Sequence, residues 1–242
     1  MEDLIDQKEK LKVYKNVFDN NTMNNVWELL THKKLIGLES PIKLGKEGNI
    51  FSAIDVKGKR IAVKIYRITS ADFFKMRKYL EIDPRIKLKK SRKMIVETWA
   101  KREFVNLQRA YKNKINVPKP IAIYKNVIIM EFVGEKNRDK MPIPAPLLKY
   151  AIPRNLEKFF NKLVEDMKLM YKANIIHGDL SEFNILNNNE TPVIIDLSHG
   201  LPRNANASNE MLERDVKNVS NFFRRKGLKI DEEEIIKKIK TK

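Results

Sequence analysis

The stretch that most constrains this chain is Ile176-His177-Gly178-Asp179-Leu180-Ser181-Glu182-Phe183-Asn184, followed by Val193-Ile194-Ile195-Asp196. Asp179 and Asn184 stand five apart, and Asp196 follows Asn184 by twelve. Between them lie Ile185-Leu186, a polar run from Asn187 to Thr191, Pro192 and a second apolar run. That order predicts two short strands joined by a turn. Such a hairpin folds Asp196 back beside Asn184. An aspartate in a loop of this kind orients or deprotonates an attacking group. An asparagine oxygen and a second aspartate suit Mg2+, a hard cation that takes oxygen ligands. Phosphoryl transfer asks for this set, because it needs positioning and cancelled charge more than covalent help. Asp and Asn are also common in solvated turns. His177, the flanking apolar strands and the register of Asp196 argue against that blander reading.

Composition narrows the class. The 242 residues are enough for one large domain or two lobes. The absence of cysteine excludes disulfides, thiolate metal sites and cysteine nucleophiles. No apolar run approaches the roughly 18 residues that span a bilayer, and Met1-Glu2-Asp3-Leu4-Ile5-Asp6 lacks a basic, apolar leader. The expectation is a cytoplasmic protein without a membrane partner. A net charge of +18 points to a polyanionic partner, nucleic acid before a membrane surface. A lysine-rich, thermophile-like composition would also produce it.

Along the chain, residues 1–39 read as a helical extension. Leu4, Ile5, Leu11, Tyr14 and Phe18 form a first stripe, and Thr22 caps a second helix carrying Val26, Trp27, Leu29 and Leu30. Residues 40–133 read as a sheet with one helix. Gly45 to Asn49 holds two glycines that let the backbone approach a phosphate, but it is not a full G-x-G-x-x-G, and by itself it reads better as a plain hairpin. Lys64, in Ala62-Val63-Lys64-Ile65, is a lysine in an apolar strand, costly unless paired. Within this part, 69–95 is a basic stretch expected to be a flexible insertion, with Ser91 inside it. The spacing predicts a helix from Glu97 to Tyr111 bearing Glu103, and a hairpin from Ile121 to Met130. Residues 134–242 begin with a proline-rich connection and continue as helices at 155–172, 210–226 and the acidic-to-basic run at the C-terminal end.

The order of glycine loop, strand lysine, helix glutamate, hinge, catalytic loop and metal aspartate is that of protein kinases. Gly45-Lys46-Glu47-Gly48-Asn49-Ile50-Phe51, Lys64-Ile65-Tyr66, Asp83-Pro84-Arg85, Trp99 to Phe104, Met130 to Gly134, His177 to Asn184, Ile195-Asp196 and Leu212 to Val216 together resemble the RIO family of atypical serine/threonine protein kinases, in its type-1 branch. The resemblance covers roughly residues 20 to 227. It implies an α+β, bilobal kinase-like fold, with a small sheet-and-helix N-lobe and a mostly helical C-lobe. It implies Lys64 and Glu103 as an ion pair, Asp179 as catalytic base, and Asn184 and Asp196 as metal ligands. Gly45, Lys46, Glu47, Gly48 and Asn49 would bind the phosphates of ATP, with Met130, Glu131 and Val133 at the adenine. The cofactors would be ATP and Mg2+, with Mn2+ as a substitute. Ser91 is a candidate for phosphorylation in cis. The family's biology implies small-ribosomal-subunit maturation, ribosomal RNA or a pre-ribosomal particle as partner, and ATP hydrolysis through a phosphorylated Asp196 as one output. Leu44, Gly48 and Ser198-His199-Gly200 depart from the family's usual residues, as does Gly178 more mildly.

Two alternatives stand beside this reading. Small-molecule kinases, such as aminoglycoside and choline phosphotransferases, share the His-Gly-Asp loop, as does the small kinase of the tRNA threonylcarbamoyladenosine complex. They lack the Lys46-Glu47 loop. A non-catalytic RNA-binding assembly factor would keep the fold and the charge.

Overall fold

A computed structural model describes residues 20–31, 35–69, 72–88, 90–136 and 142–241. The stripe expected over Leu4 to Phe18 lies outside them. The elements in chain order are α1 (Asn20–Thr31), β1 (Gly37–Leu44), β2 (Gly48–Ile54), β3 (Arg60–Tyr66), α2 (Phe73–Glu81), α3 (Arg92–Lys112), β4 (Pro120–Tyr124), β5 (Val127–Glu131), β6 (Gly134–Lys136), β7 (Pro142–Pro144), α4 (Leu156–Lys172), β8 (Ile185–Asn187), β9 (Pro192–Ile194), a 3-10 turn (Leu197–His199), α5 (Ser208–Arg224) and α6 (Glu232–Lys240). They divide into two compact units. The first comprises Met1–Leu80, Leu88–Lys101 and Pro120–Phe132; the second comprises Glu81–Lys87, Arg102–Lys119 and Val133–Lys242.

The first unit is built on an antiparallel sheet of order β1-β2-β3-β5-β4. Alternation decides its faces. Phe51, Ala53, Ile61, Val63, Ile65, Val127 and Ile129 pack with Val26 and Leu29 of α1 as one core. Lys64 and Met130 therefore belong to the opposite set of positions, with Ile50, Ala62 and Ile128 as cross-strand neighbours. A buried amide fixes α1 to this sheet. Asn126 Nδ2 donates to Thr22 Oγ1 at 3.0 Å and to the Tyr66 carbonyl at 2.7 Å, while Asn25 Nδ2 donates to Asn126 Oδ1 at 2.6 Å. Lys125 supplies the positive φ of the β4–β5 turn. The expected hairpin forms.

Three local expectations change. The helical extension expected over 1–39 gives way earlier, since β1 already runs from Gly37, an edge strand with mostly exposed side chains. The flexible insertion expected over 69–95 instead holds α2, anchored by buried Met76 and Leu80, with Arg92 over the Phe73 ring at 4.8 Å. Helix α3 starts at Arg92 rather than Glu97, where Ser91 Oγ accepts the Met94 N–H at 3.2 Å. That is a capping contact that supports a first helical turn.

The second unit is mostly helical. Helix α4 buries Phe159, Phe160, Leu163, Val164, Met167 and Met170, and Phe160 meets Phe223 of α5 with ring centroids 5.1 Å apart. Asn155 caps α4 by accepting the Lys158 N–H. Asp231 caps α6 by accepting the Glu233 and Glu234 N–H groups. The three glutamates after it sit at the positive end of the helix, as expected. The proline-rich connection contains the short β6–β7 ladder, with Gly134 opposite Pro144.

Candidate active site

The stretch from Ile176 to Asn184 follows α4 and is pinned at its start by an antiparallel bridge. Ile176 N–H donates to the Leu201 carbonyl at 2.8 Å, and the reverse bond is 3.0 Å. Gly178 takes φ +79, and a Cβ there would stand 3.0 Å from the His199 carbonyl, so glycine is required twice over. Buried Asp215 of α5 holds the loop's backbone, its two oxygens accepting the Gly178 and Leu180 N–H groups at 2.8 Å each. Arg214 donates to the Gly178 carbonyl, and Asn218 to the Leu180 carbonyl at 3.3 Å. Burial pushes the Asp215 carboxyl up to about 6, against the opposing pull of His177, the two N–H groups and Arg214.

His177 joins the loop to the segment that carries Asp196. Its Nε2 lies 3.0 Å from the Ile195 carbonyl and its Nδ1 accepts the Asp179 N–H at 3.3 Å. These contacts assign the proton to Nε2. Asp179 is exposed at the loop surface. Asn184 Nδ2 donates to the Asp179 carbonyl at 2.8 Å and to its carboxylate at 3.2 Å. With its N–H groups so used, Asn184 turns Oδ1 into a ligand candidate.

The β8–β9 hairpin pairs Ile185 with Ile194 and Asn187 with Pro192. Asn189 and Glu190, both at positive φ, make its turn. Ile195 N–H donates to the Asn184 carbonyl at 3.0 Å, which brings Asp196 beside the loop as the spacing predicts. Asp196 itself is left-handed, at φ 62 and ψ 66. Its Oδ1 accepts from Ser198 Oγ at 2.7 Å. Among the described residues no cluster of three or more His, Cys, Asp or Glu forms a closed metal cage. One carboxylate and one amide oxygen instead fit Mg2+, which keeps waters and substrate phosphates in its shell.

The first unit carries the phosphate-loop candidates. Gly45, Lys46 and Glu47 form the turn between β1 and β2, with Leu44 opposite Asn49. Asn49 Oδ1 accepts the Gly45 N–H at 3.3 Å, and its buried Nδ2 has no hydrogen-bond partner among the described residues. A donor left over at a turn of backbone N–H groups suits a phosphate oxygen. Gly48 lies so close to β3 that a Cβ would meet the Ile65 carbonyl at 2.5 Å. Lys64 is buried on β3, its Nζ 4.9 Å from the Tyr66 ring centroid. Met130 and Glu131 are half-buried on β5. Glu103 is buried on α3 and Val133 half-buried, both in the second unit, where the Val133 carbonyl accepts the Ala145 N–H at 3.0 Å.

Comparison with known proteins then decides the family. Residues 49–235, well over half the chain, match the RIO domain. This chain belongs to the RIO family of atypical serine/threonine kinases. It is 39% identical to the RIO-type serine/threonine-protein kinase Rio1 of Methanocaldococcus jannaschii, over 97% of this chain and 79% of that protein. Against Rio1 of Haloferax volcanii the identity is 36%, over 92% and 76%. The human serine/threonine-protein kinase RIO1 is 30% identical over 88% of this chain, which spans only 38% of that longer protein. Among solved structures, the Rio2 kinase of Chaetomium thermophilum, in an ADP/Mg2+-phosphoaspartate complex, superposes with a TM-score of 0.66 at 22% identity. That match covers 89% of this chain and 65% of the other, and shows the shared α+β fold.

Asp215, Arg214 and Ser198 carry roles that residue-by-residue sequence reading did not assign. An acid inside the apolar run Met211, Leu212, Val216, Val219 was the available signal for Asp215.

Proposed function

We propose that this RIO protein binds ATP with Mg2+ and moves its gamma-phosphate, with Asp179 as base and Asn184 and Asp196 as the metal ligands. The observation that carries the reading is the pairing of Asn184 with Asp179 across the loop, together with the hairpin that delivers Asp196 next to Asn184. When bound, Mg2+ supplies charge neutralisation on the phosphates. The chain's own groups do the rest. Asp215 and Arg214 keep the loop rigid, His177 ties it to the Ile195 carbonyl, and the exposed Asp179 carboxylate receives the proton of the attacking hydroxyl or water. Gly45 to Asn49 take the phosphates, Lys64 the alpha and beta phosphates, and Glu103 is its acidic counterpart. Met130, Glu131 and Val133 face the adenine. Mn2+ substitutes for Mg2+. The division into an N-lobe over 40–133, extended by 1–39, and a C-lobe over 134–242 belongs to the same reading.

The kinase output and the ATPase output differ in where the label goes. Ser91 is exposed, and its Oγ meets the first turn of α3. A phosphate there would face the positive end of the helix. Incubation with gamma-labelled ATP and Mg2+ is expected to give labelled product. Acid-labile label on Asp196 favours the ATPase route, and acid-stable label on Ser91 or another hydroxyl favours the kinase. If label is neither released nor transferred, the proposal is overturned.

The wider role we propose is maturation of the small ribosomal subunit, in the cytoplasm, through binding of ribosomal RNA or a pre-ribosomal particle. The +18 charge supports a polyanionic partner, and no helix among the described residues is long and apolar enough to cross a membrane.

A further inference from the structure

Close to Asp196 the second unit buries a set of charged and amide groups that the proposed chemistry does not use. Asp83, Arg102 and Asn106 are each nearly or wholly inaccessible to solvent. Asn106, on α3, donates through Nδ2 to the carbonyls of Leu197 at 3.0 Å and Gly200 at 2.9 Å. Its Oδ1 accepts from Arg85 Nη1 at 2.9 Å. Arg85 Nη2 also donates to the Gly200 carbonyl at 3.1 Å. Arg102, one turn earlier on α3, donates through Nη2 to the Ser198 carbonyl at 2.5 Å. Both cations share the Asp83 carboxylate, which Arg85 engages at 2.8 and 2.7 Å and Arg102 approaches at 3.9 Å.

Arg85, Arg102 and Asn106 converge on the backbone carbonyls of Leu197, Ser198 and Gly200, within the four residues after Asp196. A buried charged network is weak evidence for stability, since desolvation offsets most of what its pairing gives. Its geometry offers a better account. Asp196 is left-handed without being glycine, a conformation costing on the order of 1–3 kcal/mol that persists only where the surroundings over-determine it. In the 3-10 turn that follows, the Leu197 carbonyl also accepts the Gly200 N–H at 3.1 Å, while the Ser198 and Gly200 carbonyls take donors from this network. Fixing those carbonyls fixes Ser198, and Ser198 Oγ holds one Asp196 oxygen at 2.7 Å. The fit is tight: a Cβ on Gly200 would lie 2.6 Å from Asn106 Nδ2.

We propose that Arg102, Asn106 and Arg85 are positioning residues for the metal site, acting through the 197–200 carbonyls and Ser198 to aim the Asp196 carboxylate at the cation. The proposal rests on the reading of Asp196 as a metal ligand. Groups that orient a metal ligand without touching the metal typically carry 10–100-fold of its affinity. Asn106→Ala removes two carbonyl donors. Gly200→Ala disturbs the same contact while leaving every charge in place. Ser198→Ala cuts the last link without touching the network, and carries the test if Asn106→Ala does not fold.

The experiment is a Mn2+ titration, read by electron paramagnetic resonance, on full-length protein with saturating ADP. ADP affinity without metal is measured beside it. Asn106→Ala and Ser198→Ala are each expected to weaken Mn2+ binding by at least tenfold, with metal-free ADP affinity unchanged and far-UV circular dichroism like the parent's. Mn2+ affinity within twofold of the parent in both variants overturns the clamp. So does a parallel loss of metal-free ADP affinity, which would mark general disruption. Asp196→Ala separates the two readings. If it too leaves Mn2+ binding intact, the ligand assignment fails; if it alone abolishes binding, the assignment stands and the clamp falls.

Discussion

At the scale of single residues, groups that hold backbone stand beside the groups proposed to meet substrate. Asp215 is the clearest. Its carboxylate accepts two loop N–H groups from within an apolar helix face, and burial raises it from its ordinary 3.8 to about 6. The sign follows from linkage. With the folded value above the unfolded one, the unfolded chain releases the proton first, so this group's contribution to stability is greatest below pH 3.8 and declines as pH rises toward 6. Asp166, also raised to about 6 by burial, adds to the same window. Asp215→Asn should therefore flatten the dependence of melting temperature on pH between about 4 and 6, leaving the Asp166 part. It should also lower ATP turnover, because Asn can accept at only one atom. An unchanged pH profile, read by thermal denaturation at half-unit intervals, would contradict the buried-acid account.

At the scale of elements, short-range pattern was informative and long-range packing was not. The β8–β9 hairpin and the place of Asp196 were legible because register over a dozen residues follows from alternation and turn residues. Lys64 was legible as a lysine among apolar neighbours on one strand. Strand β1 was not, because Glu39, Pro41 and Lys43 make an edge strand whose pattern is polar. Helix α2 was obscured because Lys75, Arg77 and Lys78 outnumber its two buried anchors. Arg102 and Asn106 were hidden for another reason, since the carbonyls they hold lie more than 90 residues away. The joint between α1 and the sheet gives a test at this scale. Asn126→Ala leaves the Tyr66 carbonyl and the Thr22 and Asn25 side chains without the bonds Asn126 made. A loss of about 1–3 kcal/mol is expected for such buried unsatisfied groups. Urea denaturation measures it, and a change below about 0.5 kcal/mol, the size of an ordinary surface substitution, would contradict the joint.

At the scale of the whole molecule, charge and chemistry make separate claims. A chain of net charge +18 that binds RNA through phosphates should lose affinity steeply with salt. With 6–10 phosphate contacts the fall between 50 and 200 mM salt is about 10³–10⁵. Fluorescence anisotropy with a ribosomal RNA fragment reads this directly, and affinity indifferent to salt would remove the polyanion partner. In the proposed chemistry, Asp179 and Asp196 serve Mg2+-dependent ATP turnover. Steady-state ATP consumption by the parent, Asp179→Ala and Asp196→Ala, at saturating Mg2+, tests it most directly. Each substitution is expected to lower turnover by orders of magnitude; two variants that consume ATP at the parent's rate would rule out these roles.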